Sequence, residues 1–290
     1  MARPHGPPTR WPPPAGAAAG WYPEPYGHGW LRYFDGYRWT PYTSWPPQAG
    51  PAPEAAQHPT LPFPVVIGAV FILAASLIGS RPLVDRMIEH DWPIPVLMAT
   101  SVLVGYGPSV LWMMYSSRRW GSGRVAGDLG VRFRWTDLGW GPLIWLGCLI
   151  AMGVTLTIIK ALDVPYRGNL DLSVVAAVGD INRTAVVSLV VSTVVVAPVV
   201  EEAIFRGAVL RGLLSKMPAA PAITLQGLLF GAAHFNPDFG VDSVGLVVVL
   251  SVTGIGFGFA AYMLRRVGPT IIAHGILNAV AITVALVHAS

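Results

Sequence analysis

From Phe63 to the C-terminus the chain alternates long apolar runs with short polar breaks. The runs lie at about 63–79, 94–115, 138–162, 185–214, 219–235, 244–264 and 269–287. Most approach or reach the ~20 residues that carry an α-helix across a bilayer. A soluble core of this size would be cut into shorter, amphipathic pieces. The pattern predicts an all-α polytopic membrane protein with about seven transmembrane helices over residues 63–290. The fourth run is long enough to extend past the membrane, and residues 171–183 read as a short amphipathic or surface helix leading into it.

The first 62 residues follow different rules. Residues 1–19 are rich in Pro, Ala and Gly and are expected to stay disordered. No apolar core of a secretory signal opens the chain. Leu31–Phe34 and Tyr37–Thr40 are β-prone, and Asp35-Gly36 between them signals a two-residue turn, so a small β-hairpin is expected. Trp21, Trp30, Tyr33, Phe34 and Trp39 would supply it with an aromatic cluster. Residues 20–43 resemble a short GWYPDP…RYWDG..WT module found near the N-termini of many actinobacterial membrane proteins, with Glu24 for the usual Asp and Phe34 for the usual Trp. The resemblance implies an actinobacterial source. A two-stranded piece is marginal alone, so a protein partner or the membrane surface is expected to support it, with an inert tether as the alternative. Residues 44–62 form a Pro-rich, semi-rigid linker.

Composition sharpens the membrane reading. Hydrophobic residues make up 53% and charged residues 12%, against about 25% charged in a soluble domain. The net charge of +4 does not point to nucleic acid, because the cations are placed by topology. Arg118, Arg119, Arg124, Arg132 and Arg134 follow the second run, Arg206, Arg211 and Lys216 end the fourth, and Arg265 and Arg266 end the sixth. With Arg3, Arg10, Arg32 and Arg38 they outnumber Arg81, Arg86, Lys160, Arg167 and Arg183 on the other side. A plasma-membrane protein with its N-terminus cytoplasmic and its C-terminus outside is expected. The single cysteine, Cys148, excludes an internal disulfide and any multi-cysteine metal cluster, and reads as a small buried apolar residue.

Of the 15 acidic residues, only Glu201 and Glu202 lie inside an apolar run. An ionisable side chain at membrane depth costs at least ~2.5 kcal/mol on insertion scales, so it asks for a reason. Glu202 and Arg206 are spaced i,i+4, which suits a salt bridge. Glu201 projects from another face and is left over; a carboxylate in a low-dielectric site beside a second one meets the condition for a general base. His234 and His274 are likewise inside apolar runs, His234 stacked on Phe230 and His274 aligned with Asn278 at i,i+4 spacing. Glycines and alanines around them suit a crowded helix junction, and Pro198 is expected to kink the fourth span beside the glutamates.

Depth poses a difficulty. Glu201 lies ~24 Å down a helix that starts at Ala185, whereas a complete fifth span would leave His234 at the opposite membrane face. Pro218 and Pro221 punctuate the start of the fifth segment, the shortest of the later runs. A deep, short fifth helix is the reading that lets these residues meet, with His274 joining them from the start of the last span.

Glu201-Glu202-Ala203-Ile204-Phe205-Arg206 reads as EExxxR, Phe230 to His234 as FxxxH and His274 to Asn278 as HxxxN. In this order they resemble the motifs of the CPBP family, which includes the eukaryotic Ras-converting CAAX endopeptidases and bacterial bacteriocin-processing or self-immunity proteins. The resemblance covers about residues 184–287. It implies an intramembrane endopeptidase in which Glu201 activates water, His234 helps hold it, and His274 and Asn278 stabilise the oxyanion. Glu202 and Arg206 then form the structural pair. Relatives are often called metalloproteases, and zinc on Glu201, His234 and His274 stays open beside a metal-free water, since HExxH is missing. The implied substrate is a membrane-associated protein or peptide in the lipid bilayer. A non-catalytic scaffold or self-immunity protein is the competing class. A proton-coupled transporter is a third, against which the absence of internal repeats counts.

Overall fold

The computed structural model describes residues 18–23, 30–44, 61–168 and 183–289. The chain divides into two compact units, Met1–Gln57 and His58–Ser290. Most of the expected tail (1–19), linker (44–62) and surface helix (171–183) lies outside the described residues.

In the first unit, β1 (Gly20–Pro23), β2 (Leu31–Phe34) and β3 (Trp39–Ser44) form an antiparallel sheet in that order. The expected hairpin is present, with two differences. Its connection is wider than a two-residue turn, because Phe34 pairs with Trp39. The Asp35 carboxylate accepts the backbone N–H groups of Tyr37 and Arg38 at 2.8 and 2.7 Å, and Gly36 takes φ +93°. Those two hydrogen bonds hold the Asp35 carboxyl below its ordinary pKa. The second difference is the added strand β1, which brings the sheet to the three strands a small sheet needs. Alternation sorts the aromatics by face: Trp21 meets Tyr33 at 5.2 Å, while Tyr22, Phe34 and Trp39 form a second group with Phe34 buried.

The second unit is helical: α1 (Phe63–Glu89), α2 (Ile94–Trp120), the short α3 (Val125–Asp128), α4 (Asp137–Ala161), α5 (Arg183–Leu214), α6 (Ala219–Ala232), α7 (Val244–Leu264) and α8 (Gly268–Ala289). Among the described residues, six helices are long and apolar enough to cross a membrane: all of these except α3 and α6. The protein is a multi-pass membrane protein. α6 has 14 residues, about 21 Å at 1.5 Å each, short of a ~30 Å hydrocarbon layer. Asn236-Pro237 follows soon after, a pair that disfavours further helix.

The helices still alternate in direction. At one end Arg266 pairs with Asp137 at 2.6 Å, Val267 donates its N–H to Gly130, and the Arg211 guanidinium reaches the Asp128 carbonyl. At the other end the Arg167 N–H donates to Asp242 and the Gly245 N–H to Pro165. The segment after α6 completes that crossing, and Arg81 of α1 pairs there with Asp238. The basic ends of α2, α5 and α7 therefore gather at one end of the bundle. Arg206 is the exception, buried in the interior.

α5 runs through the middle: every residue from Glu201 to Leu213 is buried. A helix buried on all faces must be apolar all round or have its polar groups paired. α6 and α7 pack at backbone contact. A Cβ at Gly231 would fall 2.4 Å from the Val247 carbonyl oxygen, and one at Gly254 would fall 3.0 Å from Gly227 Cα.

Candidate active site

The glutamates sit in a single α-helical turn and a half, Ala197–Glu202, between two π-helical segments, Val191–Val196 and Ala203–Val209. Such wide turns loosen the regular ladder, free carbonyls and occur preferentially at functional sites. Pro198 cannot donate a backbone N–H, which fits a ladder already broken on its N-terminal side. α8 packs on the first π segment: the Asn278 amide donates to the Thr193 carbonyl at 2.8 Å, and a Cβ at Gly275 would lie 3.0 Å from the Val194 oxygen.

Glu202 is fully buried and paired. Arg206 Nη1 donates to its Oε1 at 2.7 Å, and Arg206 Nη2 donates to the Gly254 carbonyl at 3.2 Å. That carbonyl also accepts from Gln226 Nε2 at 3.0 Å. The guanidinium lies over the ring of Phe230, 4.4 Å from its centroid. Charge, hydrogen bonds and an aromatic face together offset the cost of desolvating the arginine. Glu202 Oε1 has a further neighbour, His274 Nδ1 at 3.1 Å.

Glu201 points elsewhere. Its Oε1 accepts a hydrogen bond from the Tyr106 hydroxyl. Its Oε2 is buried without a hydrogen-bond partner among the described residues. That oxygen stands 3.9 Å from His234 Nε2 and 3.8 Å from His274 Nε2. His234 Nδ1 faces the Phe230 carbonyl at 2.8 Å, so Nδ1 carries hydrogen there and a neutral ring leaves Nε2 as an acceptor. The Phe230 ring lies 4.8 Å from the His234 ring and 5.8 Å from that of His274, walling both imidazoles.

Counting along helices explains the meeting. Glu201 lies roughly 20 Å above the Leu214 end of α5, about the length of α6. A 14-residue helix rising from the turn after Leu214 therefore delivers His234 to the level of the carboxylate.

The site borders an apolar cavity of about 570 Å³ between α1 and α6, lined by Val70, Leu73, Leu77 and Leu229, with His234 and Arg81 also at its wall. Glu201, His234 and His274 carry the donor types zinc takes. Among the described residues, however, no group of three or more such side chains is arranged to hold a metal ion. Two atoms on one tetrahedral zinc stand about 3.3 Å apart, so each imidazole Nε2 would have to close on Glu201 Oε2 by about half an ångström.

Residues 183–280 match the family described as type II CAAX prenyl endopeptidase, Rce1-like. Over these residues the chain is similar to that family. No curated protein and no solved structure matches the chain. The Rce1-like segment holds Glu201, Glu202, Arg206, Phe230, His234, His274 and Asn278, all of the residues singled out by sequence. It leaves out Tyr106 and the α1 wall of the cavity. Sequence reasoning missed Tyr106, which lies between Gly105 and Gly107 in an apolar run that also holds Tyr115, so nothing there singled it out.

Proposed function

We propose that this chain is an intramembrane endopeptidase that hydrolyses peptide bonds of membrane-associated proteins or peptides, with Glu201 as the base that activates water. The observation that carries this reading is Oε2 of Glu201, without a hydrogen-bond partner among the described residues, facing Nε2 of both His234 and His274. Water placed between them donates one hydrogen to Glu201 Oε2 and the other to His234 Nε2, leaving a lone pair for the scissile carbonyl. As the oxygen–carbon bond forms, Glu201 takes the proton. When the carbon–nitrogen bond breaks, the same proton goes to the leaving amine, so the base is restored.

The oxyanion formed in between needs donors. His274 Nδ1 faces Glu202, so Nε2 is what His274 offers, as a donor in the imidazolium form. The Asn278 amide has one hydrogen on Thr193, and its second hydrogen is the candidate for the oxyanion. Each step runs through side chains and water of this chain. The cavity beside His234 supports a substrate with an apolar stretch next to the scissile bond. With arginine gathered at the α2, α5 and α7 ends, we place that end of the bundle in the cytoplasm, Leu61 with it, and the end of α8 outside.

The test compares new peptide termini in membranes of a host lacking the protein, complemented with wild type or with Glu201→Gln. Termini that appear only with wild type support proteolysis and give the cleavage sites. Identical termini in both, with a wild-type phenotype that Glu201→Gln retains, would make the protein a non-catalytic scaffold or self-immunity factor.

A further inference from the structure

The two oxygens of the Glu201 carboxylate have different surroundings. Oε1 receives the Tyr106 hydroxyl, while Oε2 faces the histidines without a hydrogen-bond partner among the described residues. Tyr106 lies in the middle of α2, 95 residues before Glu201 in sequence and outside the Rce1-like segment 183–280. Its ring packs against the buried cluster that includes Leu73, Phe205 and Phe230, so the phenol is held rather than free to swing.

A glutamate's terminal torsion is broad and roughly two-fold. Without an anchor the carboxylate would rotate and exchange its oxygens. A phenol is a donor throughout the neutral range, and a hydrogen bond from it to one oxygen fixes the carboxylate plane. We propose that Tyr106 is a positioning residue of this site: its hydroxyl holds Oε1 of Glu201 so that Oε2 alone is presented to the water between His234 and His274. The inference rests on Glu201 acting as the base. Tyr106 keeps its own proton throughout, since the proton from water passes to Oε2 and on to the leaving amine. It follows that the Rce1-like segment is not a complete catalytic unit: α2 supplies part of its geometry.

The experiment uses the full chain in proteoliposomes and, as probe, a synthetic peptide spanning a wild-type-dependent cleavage site from the terminus comparison. Tyr106→Phe removes the hydroxyl and keeps the ring. The expected result is a kcat reduced about 10- to 100-fold, the range a hydrogen bond to a charged group commands, with KM within about two-fold and an unchanged melting temperature. Fluorotyrosines at position 106 keep the donor while changing its acidity. They are expected to restore turnover, with kcat varying with phenol acidity. If Tyr106→Phe disturbs folding, the fluorotyrosine series decides alone: a kcat insensitive to phenol acidity overturns the inference. A Tyr106→Phe enzyme with wild-type kcat also overturns it, while loss of cleavage in Glu201→Gln leaves the endopeptidase reading standing. Wild type that generates no new termini sinks both.

Discussion

His274 Nδ1 lies 3.1 Å from Glu202 Oε1, the same oxygen that receives Arg206. Spacing alone divides the glutamate pair into a structural member and a chemical one. This contact joins them, because Glu202 orients the imidazole whose Nε2 faces Glu201.

The first prediction concerns that join. Glu202→Gln leaves Arg206 buried without its counter-charge, which costs about 3–5 kcal/mol when one partner of a buried pair is removed. Thermal unfolding in detergent should fall accordingly. Glu202→Gln combined with Arg206→Met should recover most of that stability, since no buried charge is left alone. It should not recover peptide cleavage, because His274 stays without its anion. Restored cleavage in the stable double variant would show that Glu202 acts on stability only.

Gly130 provides the second. It has φ +67°, and a Cβ there would fall 1.6 Å from Arg211 Nη2, while its carbonyl accepts the Val267 N–H. Gly123 has φ +79° with nothing near its Cβ position. Gly123→Ala should cost only the left-handed backbone, about 1–2 kcal/mol. Gly130→Ala should cost clearly more, since Arg211 must also leave its place. Equal losses in melting temperature would mean that the arginine contact contributes nothing.

Asp128, the last residue of the short α3, sets a pH dependence. Burial pushes its carboxyl up, but hydrogen bonds from the Ser117 and Ser122 side chains and the Ser122 N–H, with the charge of Arg211, outweigh this and hold it below its ordinary value. The unfolded chain then binds the extra proton more readily than the folded one near pH ~4. The stabilisation is fully present above the ordinary carboxylate range and is lost as pH falls through the lowered folded value. Asp128→Asn should lower stability near neutrality and flatten this acid-side decline. Melting curves taken from neutral pH downward test it; parallel curves for wild type and variant would refute the role.

The fourth prediction concerns the cavity beside His234. Ala74 lines it from α1, so Ala74→Trp should fill part of its volume. If substrate binds there, KM should rise about ten-fold with kcat nearly unchanged, the signature of lost uniform binding. A kcat loss at constant KM would instead place the disturbance at the catalytic side chains.

The residues of the candidate site were legible in sequence wherever their cost is local. Glu201, Glu202, His234 and His274 stand out because an ionisable group in an apolar run is expensive whatever it later touches. Spacing at i,i+4 likewise anticipates the pairing of Glu202 with Arg206 and the stacking of His234 on Phe230. In the small sheet, the hairpin followed from local turn chemistry. Strand β1 did not, because GWYP carries little strand signal until β2 offers it hydrogen bonds.

By itself, then, the sequence determined the polytopic helical class, the identity of the polar intruders and the pairs made within one helix, all of which depend on neighbours a few residues apart. The tertiary structure decided which helix supplies a donor to Glu201, which carboxylate oxygen is left for the histidines, and that Gly130 must be open for Arg211. A tyrosine in an apolar span costs little and so gives no warning, and its partner is chosen only when helices distant in sequence are packed side by side.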